Sequence, residues 1–165
     1  MVCGGFGLGA TPEQDVAALQ RLHDHLEPGG LLLLDNENPY NDARLWRYWL
    51  EEERAALPEA FRDPGPRRTG TDGAEYELRS RVVEVDPLSQ SVTMEMRGDM
   101  WREGELVASD EHVLRMTLYF KNELLLMLER AGFTDVVVRG DYTDEEPTAD
   151  SGFLVFIARR PGVLP

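Results

Sequence analysis

The stretch Leu22-His23-Asp24-His25-Leu26-Glu27-Pro28-Gly29-Gly30-Leu31-Leu32-Leu33-Leu34-Asp35 decides the fold. Its first part closes a helix: Val16, Leu19, Leu22 and Leu26 recur at helical spacing, and Pro28-Gly29-Gly30 stops the pattern. Residues 31–34 are apolar without polar alternation, the pattern of a strand buried on both faces of a parallel sheet, and Asp35 ends the run. Upstream, Thr11 reads as the helix N-cap, Pro12 as the first helical residue and Gln14 as the second half of a capping box. Before the cap lie a very short strand, Met1-Val2-Cys3, and a glycine-rich loop, Gly4-Gly5-Phe6-Gly7-Leu8-Gly9.

Downstream, residues 36–39 form a polar loop, and Asn41 is placed to cap a helix over about 42–57 carrying Leu45, Trp46, Trp49 and Leu50. The segment 58–73, rich in Pro, Gly and Arg, has the composition of a surface connection. The period then changes to two. Val92, Met94, Met96 and Met100 alternate with Thr93, Glu95, Arg97 and Asp99, which predicts a strand with one apolar face and a methionine stripe in its core. With strands at 76–85 and 106–119 it makes an antiparallel meander. Residues 122–131 spell an amphipathic helix closed by Gly132, 136–138 a buried strand, 142–150 an acidic loop and 153–158 a last strand. This order predicts an α/β sheet carrying an inserted β-platform.

Composition narrows the function. The 165 residues fit one domain, and 17 Lys plus Arg against 31 Asp plus Glu leave a formal charge of −14. Phosphate neutralisation needs clustered cations, so nucleic acid is not the expected partner. No apolar run approaches a membrane span and the N-terminus has no signal-type pattern, so the expected location is the cytoplasm. The single Cys3 has no partner for an internal disulfide, and neither a CxxC pair nor HExxH is present to suggest a metal.

The string 22–35 resembles the helix, Pro-Gly-Gly turn and fifth strand of class I S-adenosylmethionine-dependent methyltransferases. Leu124-Leu125-Leu126-Met127-Leu128-Glu129-Arg130-Ala131-Gly132-Phe133-Thr134-Asp135-Val136 is similar to that family's last helix running into its sixth strand. Phe153-Leu154-Val155-Phe156-Ile157-Ala158 is similar to the antiparallel seventh strand. The three pieces cover nearly the whole chain in order and spacing, and the meander falls where small-molecule methyltransferases often insert a β-rich lid.

The resemblance implies an incomplete Rossmann-like methyltransferase sheet with an inserted antiparallel β-platform. The core would occupy 1–60, the platform 61–119, and the last helix with the last two strands 120–165. It implies methyl transfer from S-adenosylmethionine to a small-molecule acceptor. In the family a Gly-x-Gly-x-Gly loop and a ribose-binding acid precede the Pro-Gly-Gly segment by several βα units, roughly 90–100 residues at about 30 per unit. Here Met1-Val2-Cys3 aligns with strand four, so the expected chain lacks the cofactor-binding half.

By position in the family, Gly4, Gly5 and Phe6 follow strand four and are the implied cofactor-binding residues, while Asp35 and Asn36 follow strand five and face the methyl group and its acceptor. Gly5-Phe6-Gly7-Leu8-Gly9 also spells Gly-x-Gly-x-Gly, so a second reading makes it the main cofactor loop with Asp35 as the ribose acid. The short strand ahead of it, the ordinary capped helix start and the meander that follows weigh against that reading. Tyr40, Trp46, Trp49 and Tyr119 are candidates for the acceptor-pocket walls, with packing at helical spacing as the competing explanation for the two tryptophans. No catalytic residue is assigned, because aligning an in-line displacement at a methylsulfonium needs no general base. An open strand-four edge calls for pairing, so the expected partner is a second copy or a missing N-terminal segment. A non-enzymatic binding module derived from the same fold is the alternative function.

Overall fold

The structure, a computed structural model, describes residues 1–162 apart from Cys3, Gly9, Ala10, Asp42 and Asp63, and apart from the side chain of Tyr40. In chain order its elements are α1 (Pro12–His25), β1 (Leu31–Glu37), α2 (Ala43–Trp46), α3 (Glu51–Arg54), β2 (Arg67–Thr69), β3 (Glu75–Asp86), β4 (Ser91–Arg102), β5 (Glu105–Thr117), α4 (Lys121–Arg130), β6 (Thr134–Gly140) and β7 (Phe153–Arg159). Short 3₁₀ turns occupy Pro39–Asn41 and Arg47–Trp49. The chain divides into two compact units: Met1–Trp46 with Thr117–Pro165, and Arg47–Met116.

The first unit begins as its cap chemistry dictates. Thr11 Oγ1 accepts from Gln14 N at 3.4 Å and Thr11 N donates to Gln14 Oε1 at 3.0 Å, completing the capping box at the start of α1. At its other end the Pro-Gly-Gly turn is tied to the end of β7, with Gly29 N donating to Arg160 O at 2.9 Å and Arg160 N to Gly30 O at 2.8 Å. The sheet order is β1-β7-β6, and both neighbouring pairs are antiparallel. A mostly parallel sheet is therefore not what forms. No crossover helix separates β6 from β7, so the chain returns antiparallel, and β7 takes the place between β6 and β1. Among the described residues Val2 pairs parallel with Leu34, with Val2 N donating to Leu33 O at 2.8 Å and Asp35 N to Val2 O at 3.2 Å.

Pairing with β7 continues to Glu37 opposite Phe153, so Asp35 and Asn36 are the closing residues of β1 rather than residues that follow it. The leucine run is also not buried throughout: Leu32 and Leu34 are in the core, while Leu31, at the sheet end opposite Arg159, is exposed. Leu19 from α1, Leu124 and Leu128 from α4, and Phe156 from β7 close around Leu34, and each is fully buried. Burial of such side chains contributes about 1.5–3 kcal/mol apiece.

The single helix expected over 42–57 is broken into α2, a 3₁₀ turn and α3, and its expected start at Asp42 lies outside the described residues. Arg54 explains part of the break, since its Nη1 donates to the Tyr48 and Trp49 carbonyls at 3.0 and 2.9 Å and holds them away from a continuing helical ladder. Asn41, expected as the cap, makes longer-range bonds among the described residues. Its side-chain amide donates to the Asp150 and Ser151 carbonyls, pinning the segment after β1 to the loop before β7.

In the second unit the order is β2-β3-β4-β5. β3 and β4 pair from Glu75 opposite Trp101 to Asp86 opposite Ser91, with a bulge between Val82 and Glu84. One face of this sheet carries a charge ladder in which Glu77 and Asp99 are buried, Asp99 bonded to Arg79, Arg97 and Ser109, and Glu77 to Arg67 and the Gly65 amide. The other face is apolar. Near the bulge it is closed by Val82, Val85 and Val92, but at the opposite end it is open, and Met94, Met96 and Met100 are only half-buried. The methionine stripe is thus not a packed core, and at this open end the buried residues, Glu77 and Asp99, lie on the charged face, where their ion pairs and hydrogen bonds offset the cost of burial. Among the described residues no helix is long and apolar enough to cross a membrane, and no group of three or more His, Cys, Asp and Glu is placed to hold a metal.

Candidate functional site

In a sheet of this kind ligands gather at the carboxyl ends of parallel strands, which here means the ends of β1 and of the Val2 segment. Asp35 sits there, 5% exposed. Its Oδ1 accepts from Gly4 N at 2.5 Å and its Oδ2 from the Tyr142 hydroxyl. A buried carboxylate needs such donors, since burying an unpaired charge is costly. The result joins three segments distant in sequence: the loop after Val2, the end of β1 and the turn after β6.

The loop itself is held from beneath. Gly7 has a φ of +82°, Thr117 N donates to Gly7 O at 2.9 Å, and a Cβ on Gly7 would lie 2.8 Å from the Thr117 carbonyl oxygen. Only glycine fits at that approach. Phe6, half-buried, meets the Tyr119 ring at 5.5 Å with the planes tilted by 41°, while Gly4 and Gly5 are exposed.

Of the residues picked out from the sequence, Gly4 is joined to Asp35, and Phe6 and Asn36 to Tyr119. Asn36 Nδ2 donates to the Tyr119 carbonyl at 2.8 Å. Tyr119 is buried in the core, and its hydroxyl donates to Asp15 Oδ2 at 2.8 Å. Burial, and then the neighbouring Asp15 carboxylate, push its phenol well above the ordinary tyrosine range, so it stays protonated. Trp46 closes the short helix α2. Its ring meets Phe120 edge-on at 6.1 Å and it is partly exposed. Trp49 belongs to the second unit, and the Tyr40 side chain lies outside the described residues.

Sequence reasoning missed Tyr142 and Asp15, and took Gly7 only as part of a Gly-x-Gly-x-Gly string rather than as the point where the loop meets Thr117. Tyr142 is 53% exposed, has a φ of +58° and meets the Phe153 ring at 5.6 Å with the planes tilted by 44°, so its ring borders solvent while its hydroxyl reaches the buried acid. Nothing in a Gly-Asp-Tyr-Thr turn signals that reach. Asp15 carried a weak signal, an acid between apolar positions of α1, which its place in the first turn masks as a helix-dipole residue. The acidic loop is in part structural, because Asp141 Oδ1 accepts from Gly152 N and Phe153 N at 2.7 and 2.9 Å and so closes it.

No protein-family model matches the sequence, and no curated protein matches it. Solved structures do. The CcbJ methyltransferase from Streptomyces caelestis aligns with a TM-score of 0.56 and 22% identity over 93% of this chain and 56% of its own. A S-adenosylmethionine-dependent methyltransferase from Clostridium acetobutylicum ATCC 824 aligns with a TM-score of 0.59 and 14% identity over 91% of this chain and 52% of its own. DesVI from Streptomyces venezuelae gives 0.59 and 19% over 96% and 55%. The chain spans about half the length of each of these proteins. At such identities the likeness is one of fold. The chain has a class I methyltransferase-like α/β fold, incomplete relative to these neighbours, with an antiparallel platform.

Proposed function

We propose that this chain forms the acceptor-side part of a S-adenosylmethionine-dependent methyltransferase acting on a small molecule. The observation that carries the reading is the junction at Asp35, at the carboxyl edge of a sheet whose fold neighbours include S-adenosylmethionine-dependent methyltransferases. The residues there suit one side of such a cofactor. Gly4 and Gly5 present exposed backbone, Phe6 offers a half-buried ring whose face attracts a sulfonium, and the Asp35 carboxyl fixes the Gly4 loop beside it. When bound, S-adenosylmethionine supplies an electrophilic methyl group.

This chain's own residues orient rather than activate. Asp35 holds the Gly4 loop and the Tyr142 ring in one arrangement, and the Tyr142 and Phe153 rings, both partly exposed, border the space in front of it. An acceptor held there would be positioned without a proton being moved by Asp35, which already accepts two hydrogen bonds. Among the described residues the outer side of β1 is paired at Val2, and an edge of this kind suits pairing with further strands, supplied by a second copy or by another segment of protein.

Calorimetric titration of the 165-residue chain with S-adenosylhomocysteine tests the reading. Saturable micromolar binding, weakened at least tenfold by Asp35→Ala, is the expected result. Absence of binding at millimolar ligand would overturn it in favour of a binding module built on the same fold.

A further inference from the structure

The turn that leaves β6 is Gly140-Asp141-Tyr142-Thr143. Asp141 has a φ of +50° and Tyr142 one of +58°, and Thr143 N donates to Gly140 O at 2.9 Å, the signature of a type I′ turn. Such a turn favours aspartate followed by glycine, because both central residues stand in the left-handed region. Asp141 suits it and also ties it down, its amide donating to Phe153 O at 2.9 Å and its carboxyl accepting from Gly152 N and Phe153 N. Tyr142 does not suit it. A bulky side chain at positive φ is an outlier that persists only where its surroundings hold it.

What holds it is the Asp35 carboxyl. The Tyr142 hydroxyl donates to Asp35 Oδ2, while Asp35 Oδ1 accepts from Gly4 N at 2.5 Å. The terminal torsion of an aspartate is soft, so one hydrogen bond does not orient the group. With a donor on each oxygen, one orientation remains, and in it Oδ1 faces Gly4. Removing the hydroxyl leaves a buried carboxyl oxygen unsatisfied and lets the group turn away from the Gly4 amide.

We propose that Tyr142 is a positioning residue that fixes the Gly4 loop through Asp35, so that cofactor affinity depends on a hydroxyl belonging to the acceptor side. The inference rests on the reading of the Asp35 junction as a methyltransferase site. It adds that the strained turn serves to place this hydroxyl, and that the two sides of the site are coupled through one carboxyl. An acceptor that holds the Tyr142 ring in place therefore tightens cofactor binding, and by linkage the cofactor tightens acceptor binding.

Calorimetric titration of the full chain and its variants with S-adenosylhomocysteine tests this. Tyr142→Phe, which keeps the ring and drops the hydroxyl, should weaken binding by about fivefold, the order expected of one hydrogen bond. Tyr142→Gly supplies the residue the turn prefers and should weaken binding at least as much, whereas a tyrosine that served the turn alone would be replaced by glycine without loss. In the Asp35→Ala background, Tyr142→Phe should change the affinity by less than about twofold, because its effect travels through the carboxyl already removed. In the amide NMR spectrum of the ligand-free chain, Tyr142→Phe should also move the Gly4 resonance. Wild-type affinity in Tyr142→Gly, an additive loss in the double variant or an unmoved Gly4 resonance overturns the inference alone, since the wild-type chain still binds. A wild-type chain that takes up no S-adenosylhomocysteine at millimolar concentration overturns the reading of the site and this inference together.

Discussion

Gly7→Ala is the substitution that most directly tests how the loop over Asp35 is held. Alanine must adopt the φ of +82° found at this position, where an L side chain costs about 1–2 kcal/mol. Its Cβ would also lie 2.8 Å from the Thr117 carbonyl oxygen, well inside ordinary contact. That oxygen is backbone and cannot rotate away, so the loop must lift. Lifting lengthens the 2.9 Å bond from Thr117 N to Gly7 O, worth about 1 kcal/mol, and the total comes to about 2–4 kcal/mol. Gly4→Ala is the internal control: its φ of +58° carries the same kind of backbone penalty, but no atom lies within 4 Å of the added methyl. The difference between the two variants, about 1–2 kcal/mol, isolates the close approach. Native-state amide exchange of β1 and β7 should therefore be faster in Gly7→Ala than in Gly4→Ala by about 5–30-fold. Equal exchange rates, or faster exchange in Gly4→Ala, would refute the account of the loop.

Three further outcomes follow from the packing and the charges. Phe156→Ala, at a fully buried position opposite both Leu34 and Val138, should lower stability in urea by about 3–5 kcal/mol, and a loss below 1 kcal/mol would mean the core is not centred there. Tyr119→Phe leaves the buried Asp15 carboxylate without its hydroxyl donor and should destabilise by about 1–3 kcal/mol, whereas a variant as stable as wild type would remove that bond from the fold. In the second unit, the Gly65 amide first and then Arg67 hold Glu77 below its ordinary range, and the Ser109 hydroxyl first, then Arg97 and Arg79, do so for Asp99. Both carboxyls have depressed values in the fold. Their stabilisation is therefore complete above the unfolded value near about pH 4 and is lost as pH falls through the native values. Acid titration followed by circular dichroism should show that loss, with a shallower slope in Asp99→Asn; stability that rises below pH 4 would contradict it.

The capped helix α1, the Pro-Gly-Gly turn and the order of strands were legible from residues alone. Each depends on local rules: Thr11 and Gln14 satisfy backbone donors within one turn, Pro28 removes one, and the spacing of Leu19, Leu22 and Leu26 fixes which side of the helix is buried. The Asp35 position was legible too, as the acid closing a leucine run. What it touches was not, because Gly4 and Tyr142 are 31 and 107 residues away in sequence, and only the sheet brings them to one carboxylate. The same holds for the direction of β7, for Asn41 reaching across to Ser151, and for the second unit, where alternation correctly marked two faces but not which would be covered. Period-two alternation assigns side chains to sides of a sheet. Whether a side becomes core depends on what packs there, and in this protein ion pairs buried Glu77 and Asp99 while leaving Leu78 exposed beside Gly98. Local periodicity and capping thus settled the elements and their sequence, and long-range pairing settled the site, because a hydrogen bond across a sheet leaves no trace in the spacing of the residues that make it.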